Sequence, residues 1–373
     1  MYAYVFCMFL GDGYLPGVLV MAYSIFNTGT PHDVVCMVTP DVSEDAKNKM
    51  KSIGIKVVDV EYIYTNTYFD ERPDLKRRYP QMDKFSTKWN CLKLVQYEKI
   101  FFLDVDMIVQ KNMDHIFKLP TPATRLAFQT HTNEDGKKKA IISVLVMNDG
   151  DSIPMDIANR VLNDRLGGID GGCMLLTPDI KQYEKFLIYA KTFDPRKFNT
   201  IPTDDELALF DFYTLQNIKW HYLGIEWSCI QWKYSGACNS ENSYIVNYLG
   251  VDKPWAKDLS HFPDLKIWYE NWDRFKKKYP GLITLKFNKG NNDKNNNNKN
   301  SNKKNNYNKS KYNNKKGGYI GTNISTSIYV VFIIILLFLY FIYVYQENIY
   351  SVIYNGRNTL CTSIYPFICI SKG

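Results

Sequence analysis

Short apolar runs alternate with longer segments of helical spacing over the first hundred residues. The pattern predicts strands at residues 2–10, 33–39, 55–60 and around Phe101, and helices at residues 16–26, 43–53 and 87–97. Ser43 is a suitable N-cap for the second of these helices. Strands that alternate with helices at this spacing are typical of βαβ units and a mostly parallel sheet, whose ligands bind beyond the carboxyl ends of the strands.

The strand around Phe101 ends in two aspartates separated by one residue, Asp104 and Asp106. In an extended strand the side chains at i and i+2 point the same way, so we expect both carboxylates to face one site. Paired carboxylates at the end of a buried strand can hold a divalent cation against phosphates. An ordinary acidic turn is the alternative, because this motif alone is common.

A glycine-rich turn, residues 11–13, follows the first strand and is predicted to lie at the same edge of the sheet as the aspartate pair. The turn lacks the GxGxxG pattern, which argues against a dinucleotide site. Tyr14 beside it could stack on a base. A plain strand-to-helix turn is the simpler interpretation of these residues alone.

Three later segments carry candidate chemistry. Residues 167–176 are a glycine-rich approach to an apolar strand, where missing side chains let the backbone come close to a ligand. Residues 203–207 place three carboxylates at the start of a helix, which suits either helix capping or a carboxylate near a reacting carbon. Residues 247–255 place Gly250 and Lys253 beside Pro-Trp, where the lysine could neutralise phosphate or simply lie at the surface.

Composition divides the chain into a globular part, residues 1–285, and a segment of Asn and Lys, residues 286–318. The second segment has too little apolar surface to offset the entropy of ordering, so it is predicted to be a disordered linker. Residues 286–316 hold ten lysines and one aspartate, whereas the whole chain has a net charge of +8. The remainder is therefore close to neutral, which argues against a nucleic-acid partner.

An uncharged apolar stretch, residues 328–345, follows the linker and carries tyrosines near both ends. Its 18 residues meet the length of a membrane-spanning helix, with a buried core helix as the alternative. Several lysines precede the stretch, whereas the only basic residues of the tail at residues 346–373 are Arg357 and Lys372. The positive-inside rule therefore predicts a single-pass membrane protein with its globular part in the cytosol. Eight cysteines without a paired framework favour reduced thiols.

Taken in order, these motifs resemble glycosyltransferase family 8, the glycogenin-like transferases, from Met1 to about Trp272. The motifs are Ala3-Tyr4-Val5 with Tyr14, Arg72-Pro73-Asp74-Leu75, Thr87-Lys88-Trp89, Leu103-Asp104-Val105-Asp106, Asn112-Met113-Asp114-His115-Ile116-Phe117, Asp170-Gly171-Gly172, Asp205-Glu206 and Gly250-Val251-Asp252-Lys253-Pro254-Trp255. Each motif is weak alone, but the order and spacing are specific. The combination is most similar to the glycogenin-like proteins of insect large DNA viruses.

The resemblance implies an α/β fold of the GT-A type, a Rossmann-like nucleotide-diphospho-sugar transferase with a mixed, mostly parallel sheet flanked by helices. It also implies transfer of a hexose from a UDP-sugar with retention of anomeric configuration, and Mn²⁺ as the metal, with Mg²⁺ as the alternative. The metal and the lysines would stabilise the departing diphosphate, so no strong acid is needed. The acceptor could be a glycan, a protein or a small molecule, and a homodimer is left open.

The resemblance also implies a role for each site residue. Asp104, Asp106 and Asn247 would bind the metal, Leu10, Gly11 and Tyr14 the uridine, Lys88 and Lys253 the phosphates, Gly250 the donor, Asp170 and Gly171 the sugar, and Asp205 with Glu206 would face the anomeric centre.

Two positions depart from the family pattern. Asn247 stands where the family usually has a metal-binding histidine, although an amide oxygen can also coordinate a hard cation. Glu206 stands where the family usually has glutamine, which adds a charge near the sugar. These departures leave a second interpretation open, a catalytically weak or silent GT-A domain that binds nucleotide sugars or acts as a membrane scaffold. A nucleotidyltransferase that uses the aspartate pair would leave the segment from Gly250 to Trp255 unexplained.

Overall fold

The computed structural model describes residues 1–126, 130–132, 138–140, 147–163, 169–198, 204–230, 240–250 and 253–285. The predicted linker at residues 286–318, the predicted membrane helix at residues 328–345 and the tail at residues 346–373 lie outside these residues and stay predictions. Among the helices within the described ranges, none combines the length and apolar character needed to cross a bilayer.

Strands and helices alternate along most of the described chain. The strands are β1 (Tyr2–Met8), β2 (Asp33–Val38), β3 (Lys56–Asp59), β4 (Lys99–Leu103), β5 (Met107–Val109), β6 (Ala123–Leu126), β7 (Thr130–Thr132), β8 (Lys138–Ala140), β9 (Ile169–Leu176), β10 (His221–Leu223), β11 (Cys229–Ile230) and β12 (Ile245–Asn247). The α-helices are α1 (Leu15–Phe26), α2 (Glu44–Ser52), α3 (Pro73–Arg78), α4 (Met155–Asn163), α5 (Ile180–Thr192), α6 (Asp204–Leu215) and α7 (Lys266–Lys278). Short 3₁₀ helices span Asp12–Tyr14, Met82–Lys93, Asp114–Lys118, Pro195–Lys197, Ile225–Trp227 and Pro263–Leu265.

The main sheet has seven strands in the order β10-β6-β9-β4-β1-β2-β3. Strand β1 runs parallel to both β2 and β4, β2 runs parallel to β3, and β6 runs parallel to β10. Only β9 is reversed, antiparallel to its neighbours β4 and β6. This confirms the mixed, mostly parallel sheet that the sequence predicts.

Apolar cores cover both faces of this sheet. Side chains of β1 alternate between them: Tyr4 and Phe6 join a core with α1, α2 and α7, whereas Ala3 and Val5 join a core with α4, α5, α6 and the 3₁₀ segment Met82–Lys93. Because both faces are buried, the free positions for ligands are the ends of the strands.

The predicted elements of the first hundred residues are found with one change. Ser43 caps α2 as predicted, its Oγ accepting a hydrogen bond from the Ala46 N–H at 3.1 Å. The helix predicted at residues 87–97 is instead a 3₁₀ helix that ends at Lys93. Asn90 Nδ2 donates to the Thr87 carbonyl at 2.8 Å, and this side-chain bond competes with the backbone bond that an α-helix would form there.

The described cysteines include both free thiols and a disulfide-bonded residue. Cys7, Cys36, Cys91 and Cys173 are buried and free, whereas Cys229 is disulfide-bonded. The expectation of reduced thiols throughout is therefore wrong for Cys229. Spacing along the chain does not report which cysteines meet in space, so sequence alone could not exclude a bridge.

Candidate functional site

A cavity of about 360 Å³ opens where β1 and β4 end. Nine of the residues singled out from the sequence line it: Leu10, Tyr14, Lys88, Asp104, Asp106, Asp205, Glu206, Gly250 and Lys253. Gly11 and Asn247 are not in its lining but lie next to Leu10 and near Leu249, which are, whereas Asp170 and Gly171 lie on β9, of which no residue lines the cavity. The predicted crevice beyond the strand ends therefore exists and collects most of the predicted residues.

The aspartate pair lies in the turn between β4 and β5, not in one extended strand as the sequence interpretation assumed. The chain passes here from the main sheet to a small sheet in which β12 lies between β11 and β5. The Asp104 N–H donates to the Gly172 carbonyl at 2.9 Å, and the Tyr248 N–H donates to the Asp106 carbonyl at 2.9 Å. The two carboxylates thus share the cavity through a turn that both sheets hold.

Two glycines of β9 make room for acidic side chains. A Cβ atom on Gly172 would lie 2.6 Å from Asp104 Oδ2, and one on Gly171 would lie 2.2 Å from Glu206 Cγ. Neither approach is possible with a larger residue unless the carboxylate moves. The Asp-Gly-Gly motif of the sequence is therefore a packing requirement of this site.

Lys88 lies between the carboxylates of Asp205 and Asp104. Its Nζ is 2.6 Å from Asp205 Oδ2 and 3.6 Å from Asp104 Oδ1, and it donates to the Gly171 carbonyl at 3.2 Å. Burial works against the charge of Lys88, but Asp104 and Asp205 outweigh it and raise the pKa of the lysine. The Trp89 indole N–H fixes α6 by donating to the Asp205 carbonyl at 3.0 Å. Lys88, a predicted phosphate contact, here holds Asp205.

Lys253 forms a buried ion pair with Asp106. Its segment is docked by Trp255, whose indole N–H donates to the Gly13 carbonyl at 3.1 Å. The Trp255 ring lies on Gly17 of α1, where a Cβ atom would come within 2.6 Å of it. The Pro-Trp motif therefore positions Lys253 against the aspartate pair.

The turn after β1 has a constrained backbone. Leu10 and Gly11 both have positive φ angles, 66° and 77°, and the left-handed region is costly for leucine. The Leu10 N–H donates to Tyr62 Oη at 3.1 Å, and the Tyr62 hydroxyl donates to Asp41 at 2.9 Å. A strained turn that Tyr62 holds in place is consistent with the predicted role of Leu10 and Gly11 in binding uridine.

Asn247 is 4% exposed, and its Nδ2 donates to Ser228 Oγ at 3.2 Å. Its Oδ1 is buried and has no hydrogen-bond partner among the described residues. A buried acceptor without a donor is costly, and a cation is one partner that could satisfy it. This orphaned oxygen fits a metal ligand.

The charge of the cluster also fits a cation. Desolvation inside the cavity, together with Asp106 and Asp205 and against Lys88, raises the pKa of Asp104 to about 6. Burial and Asp205 raise the pKa of Glu206 well above its usual value. Carboxylates crowded in this way favour an added positive charge. In the described part of the chain, however, no three His, Cys, Asp or Glu side chains form a metal-binding group, so the candidate ligands are two carboxylates and one amide.

Asp170, a predicted sugar contact, is turned to other partners. Its Oδ2 lies 3.3 Å from Arg125 Nη1, and its Oδ1 accepts the Gly172 N–H at 3.1 Å. Both side chains are buried. These contacts hold the backbone of β9 beside Asp104 and Glu206.

One wall of the cavity was not predicted. Tyr79, Pro80, Gln81 and Phe85 line it, and the Phe85 ring lies 6.1 Å from Phe9 and 6.3 Å from Tyr79, measured between centroids. These residues have no periodicity or motif that marks them as lining. The aromatic content of the segment was the only available signal.

The chain is similar in sequence to proteins of a known family. A model of the family Glycosyl transferase family 8 matches residues 6–148. An uncharacterised protein of Acanthamoeba polyphaga mimivirus is 31% identical over 287 residues, which cover 72% of this chain and 91% of that protein. This relative is consistent with the viral part of the resemblance.

Other relatives match over shorter shares of their length. Glycogenin of Neurospora crassa is 31% identical over 118 residues, 30% of this chain and 16% of the relative. Inositol phosphorylceramide glucuronosyltransferase 1 of Arabidopsis thaliana is 25% identical over 262 residues, 68% of this chain and 42% of the relative. Among solved structures, the glycosyltransferase GlyE of Streptococcus pneumoniae superposes with a TM-score of 0.48 at 13% identity, covering 75% of this chain and 64% of that one.

Proposed function

Because the chain belongs to glycosyltransferase family 8, we propose that it transfers a hexose from a UDP-sugar to an acceptor hydroxyl with retention of configuration. The observation that carries this proposal is the convergence of two aspartates and two lysines on one cavity at the strand ends. With a cation on the aspartates, this set of groups would carry the positive charge that can bind a diphosphate and stabilise it as it departs.

Each group has a part in the proposed reaction. Asp104, Asp106 and Asn247 would hold Mn²⁺ or Mg²⁺, which would neutralise the charge that develops on the departing diphosphate. Lys253 would exchange Asp106 for a phosphate oxygen, since a lysine can serve either acceptor. The strained turn at Leu10 and the ring of Tyr14 would hold the uridine.

The remaining groups would act at the sugar. The ion pair with Lys88 holds the Asp205 carboxylate in place, so that Asp205 could stabilise positive charge on the anomeric carbon. The bond from this carbon to the diphosphate oxygen breaks as a bond to the acceptor oxygen forms on the same face. The acceptor proton passes to the departing diphosphate, so the products are UDP and the glycosylated acceptor.

The first experiment measures UDP release by the full-length protein with Mn²⁺ and a panel of UDP-sugars. We expect one donor to give turnover, and Asp104→Asn and Asp106→Asn to lower it by at least about 100-fold. Asp45→Asn, on the exposed face of α2, is the matched carboxylate control and should keep wild-type turnover. Turnover that survives in both site variants would reject the site, and a product of inverted configuration would reject retention.

We also propose that residues 328–345 anchor the protein in a membrane, with the globular part in the cytosol. Protease added to intact vesicles should then remove residues 1–285. The disulfide at Cys229 is typical of oxidising compartments and argues for the opposite side. Protection of the globular part from protease would overturn the cytosolic orientation.

A further inference from the structure

We propose that Ser228 is a positioning residue for the metal site, because it fixes the amide of Asn247 so that the oxygen, not the nitrogen, is presented to the cation. This inference rests on the proposed metal dependence of the enzyme. It concerns a serine outside the motifs that carry the family resemblance.

The first step is the orientation of the amide. Ser228 Oγ accepts a hydrogen bond from Asn247 Nδ2 at 3.2 Å, and Ser228 is fully buried. An amide that rotated by half a turn would place its oxygen against Ser228 and its two N–H donors where a cation would lie. The serine hydroxyl could donate to that oxygen too, but only the observed orientation, in which Oγ accepts from Nδ2, leaves the amide oxygen free for a cation.

The second step is the direction of the oxygen. Strand β12, which carries Asn247, lies between β11 and β5. Ser228 directly precedes β11, and Asp106 directly precedes β5. The two terminal atoms of a planar amide diverge, so a nitrogen directed at Ser228 turns the oxygen away from it. Asn247 Oδ1 has no hydrogen-bond partner among the described residues, although it is buried.

The third step links Asn247 to the aspartate pair. Asn247 is the partner of Met107 in the antiparallel register, and side chains of paired residues lie on the same face of a sheet. A Cβ atom on Gly172 would contact both Met107 Cε at 3.0 Å and Asp104 Oδ2 at 2.6 Å. The Met107 side chain, which lies on the same face of the small sheet as Asn247, therefore lies beside the Asp104 carboxylate.

An asparagine needs this support more than a carboxylate would. Both oxygens of a carboxylate accept, so either orientation could coordinate a cation, whereas only one orientation of an amide can. Partners that orient metal ligands typically change metal affinity by about 10- to 100-fold when they are removed. Ser228 is therefore expected to matter because position 247 is an asparagine.

The test measures Mn²⁺ binding by the full-length protein in the absence of nucleotide and turnover. Electron paramagnetic resonance of the free ion reports how much Mn²⁺ remains unbound. We expect Ser228→Ala to weaken binding by about 10- to 100-fold. Ser228→Cys keeps nearly the same volume but offers only a weak acceptor, so it should lose affinity too and covers the case in which the alanine variant fails to fold. Ser86→Ala is the control, since Ser86 is fully buried and its Oγ has no partner among the described residues.

A double-mutant cycle separates positioning from general packing. Ser228→Ala should cost no further Mn²⁺ affinity in an Asn247→Ala background, and little in an Asn247→Asp background, where orientation no longer matters. Wild-type affinity in both Ser228 variants, or an equal loss in the Asn247→Ala background, would overturn this inference and leave the proposed function standing. A wild-type protein that binds no Mn²⁺ would overturn the inference together with the metal dependence itself.

Discussion

Asp104 and Asp106 are two residues apart, yet different parts of the molecule hold them. Asp104 leaves the main sheet at the end of β4, packs on Gly172 and lies 3.6 Å from Lys88. Asp106 enters the small sheet before β5 and pairs with Lys253. Their side chains differ in exposure, 42% for Asp104 and 13% for Asp106.

The two lysines of the site differ more than the two aspartates, because they have different numbers of acidic partners. Lys88 contacts two carboxylates and a carbonyl of the main fold, so its charge is already satisfied. Lys253 has Asp106 and, at 3.4 Å, the Tyr248 carbonyl. We infer that Lys88 is a fixed part of the site, whereas Lys253 can exchange its carboxylate for a ligand.

The largest expected effect is that of Lys88→Met on stability. The change leaves Asp205, which is 1% exposed, without its cation, and breaking a buried pair costs about 3–5 kcal/mol. Urea unfolding should show this loss, and Lys88→Met combined with Asp205→Asn should recover most of it, because both charges are then gone. A single variant as stable as the wild type would contradict the view of Lys88 as fixed.

Lys253→Met should cost less, about 3 kcal/mol, because Asp106 retains some contact with solvent. Saturating Mn²⁺ should return more stability to this variant than to Lys88→Met, since a cation bound at Asp106 replaces the lost ammonium. Thermal unfolding with and without Mn²⁺ measures both. Equal recovery in the two variants would remove the distinction between the lysines.

Gly172→Ala tests the Asp104 side. The new Cβ atom would lie 2.6 Å from Asp104 Oδ2, so the carboxylate must move, and overpacking of this kind costs about 1–3 kcal/mol. Mn²⁺ affinity should fall with it. Gly13→Ala is the matched control, because a Cβ atom there meets nothing within 4 Å and Gly13 has no positive φ. Equal Mn²⁺ affinity in the two variants would show that Gly172 does not set the position of Asp104.

The contrast between the two aspartates also shows what the sequence could predict. The apolar run before Asp104, the glycine-rich turn before Tyr14 and the segments around Asp205 and Lys253 are local signals, whereas Leu10 and Lys88 were predicted from the family resemblance. Together they account for nine lining residues of the cavity. Which lysine holds which carboxylate depends on β9 and β12, which lie far from Asp104 along the chain and have no pairing signal of their own. The placement of both aspartates in one extended strand was wrong for the same reason.

The aromatic wall and Ser228 mark a second limit. Tyr79 and Gln81 reach the cavity from the turn between α3 and the 3₁₀ helix Met82–Lys93, and Phe85 reaches it from that 3₁₀ helix. The role proposed for Ser228 depends on a single hydrogen bond to Asn247. Contacts of this kind are set by tertiary packing, which hydrophobic periodicity does not encode.

The smallest expected effect is that of Trp255→Phe, which tests how the Asp106 side is supported. The change removes the indole N–H that donates to the Gly13 carbonyl, and one such bond contributes about 0.5–1.5 kcal/mol. Phenylalanine also lacks the distal indole atoms Cζ2, Cζ3 and Cη2 that lie on Gly17, so Lys253 should keep its pair with Asp106 but with a less fixed position. UDP affinity should therefore fall a little while Mn²⁺ affinity stays constant, and calorimetry of each ligand measures both. If Mn²⁺ affinity fell and UDP affinity did not, Trp255 would support the aspartate rather than the lysine, and the division between a fixed and an exchangeable cation would lose its structural basis.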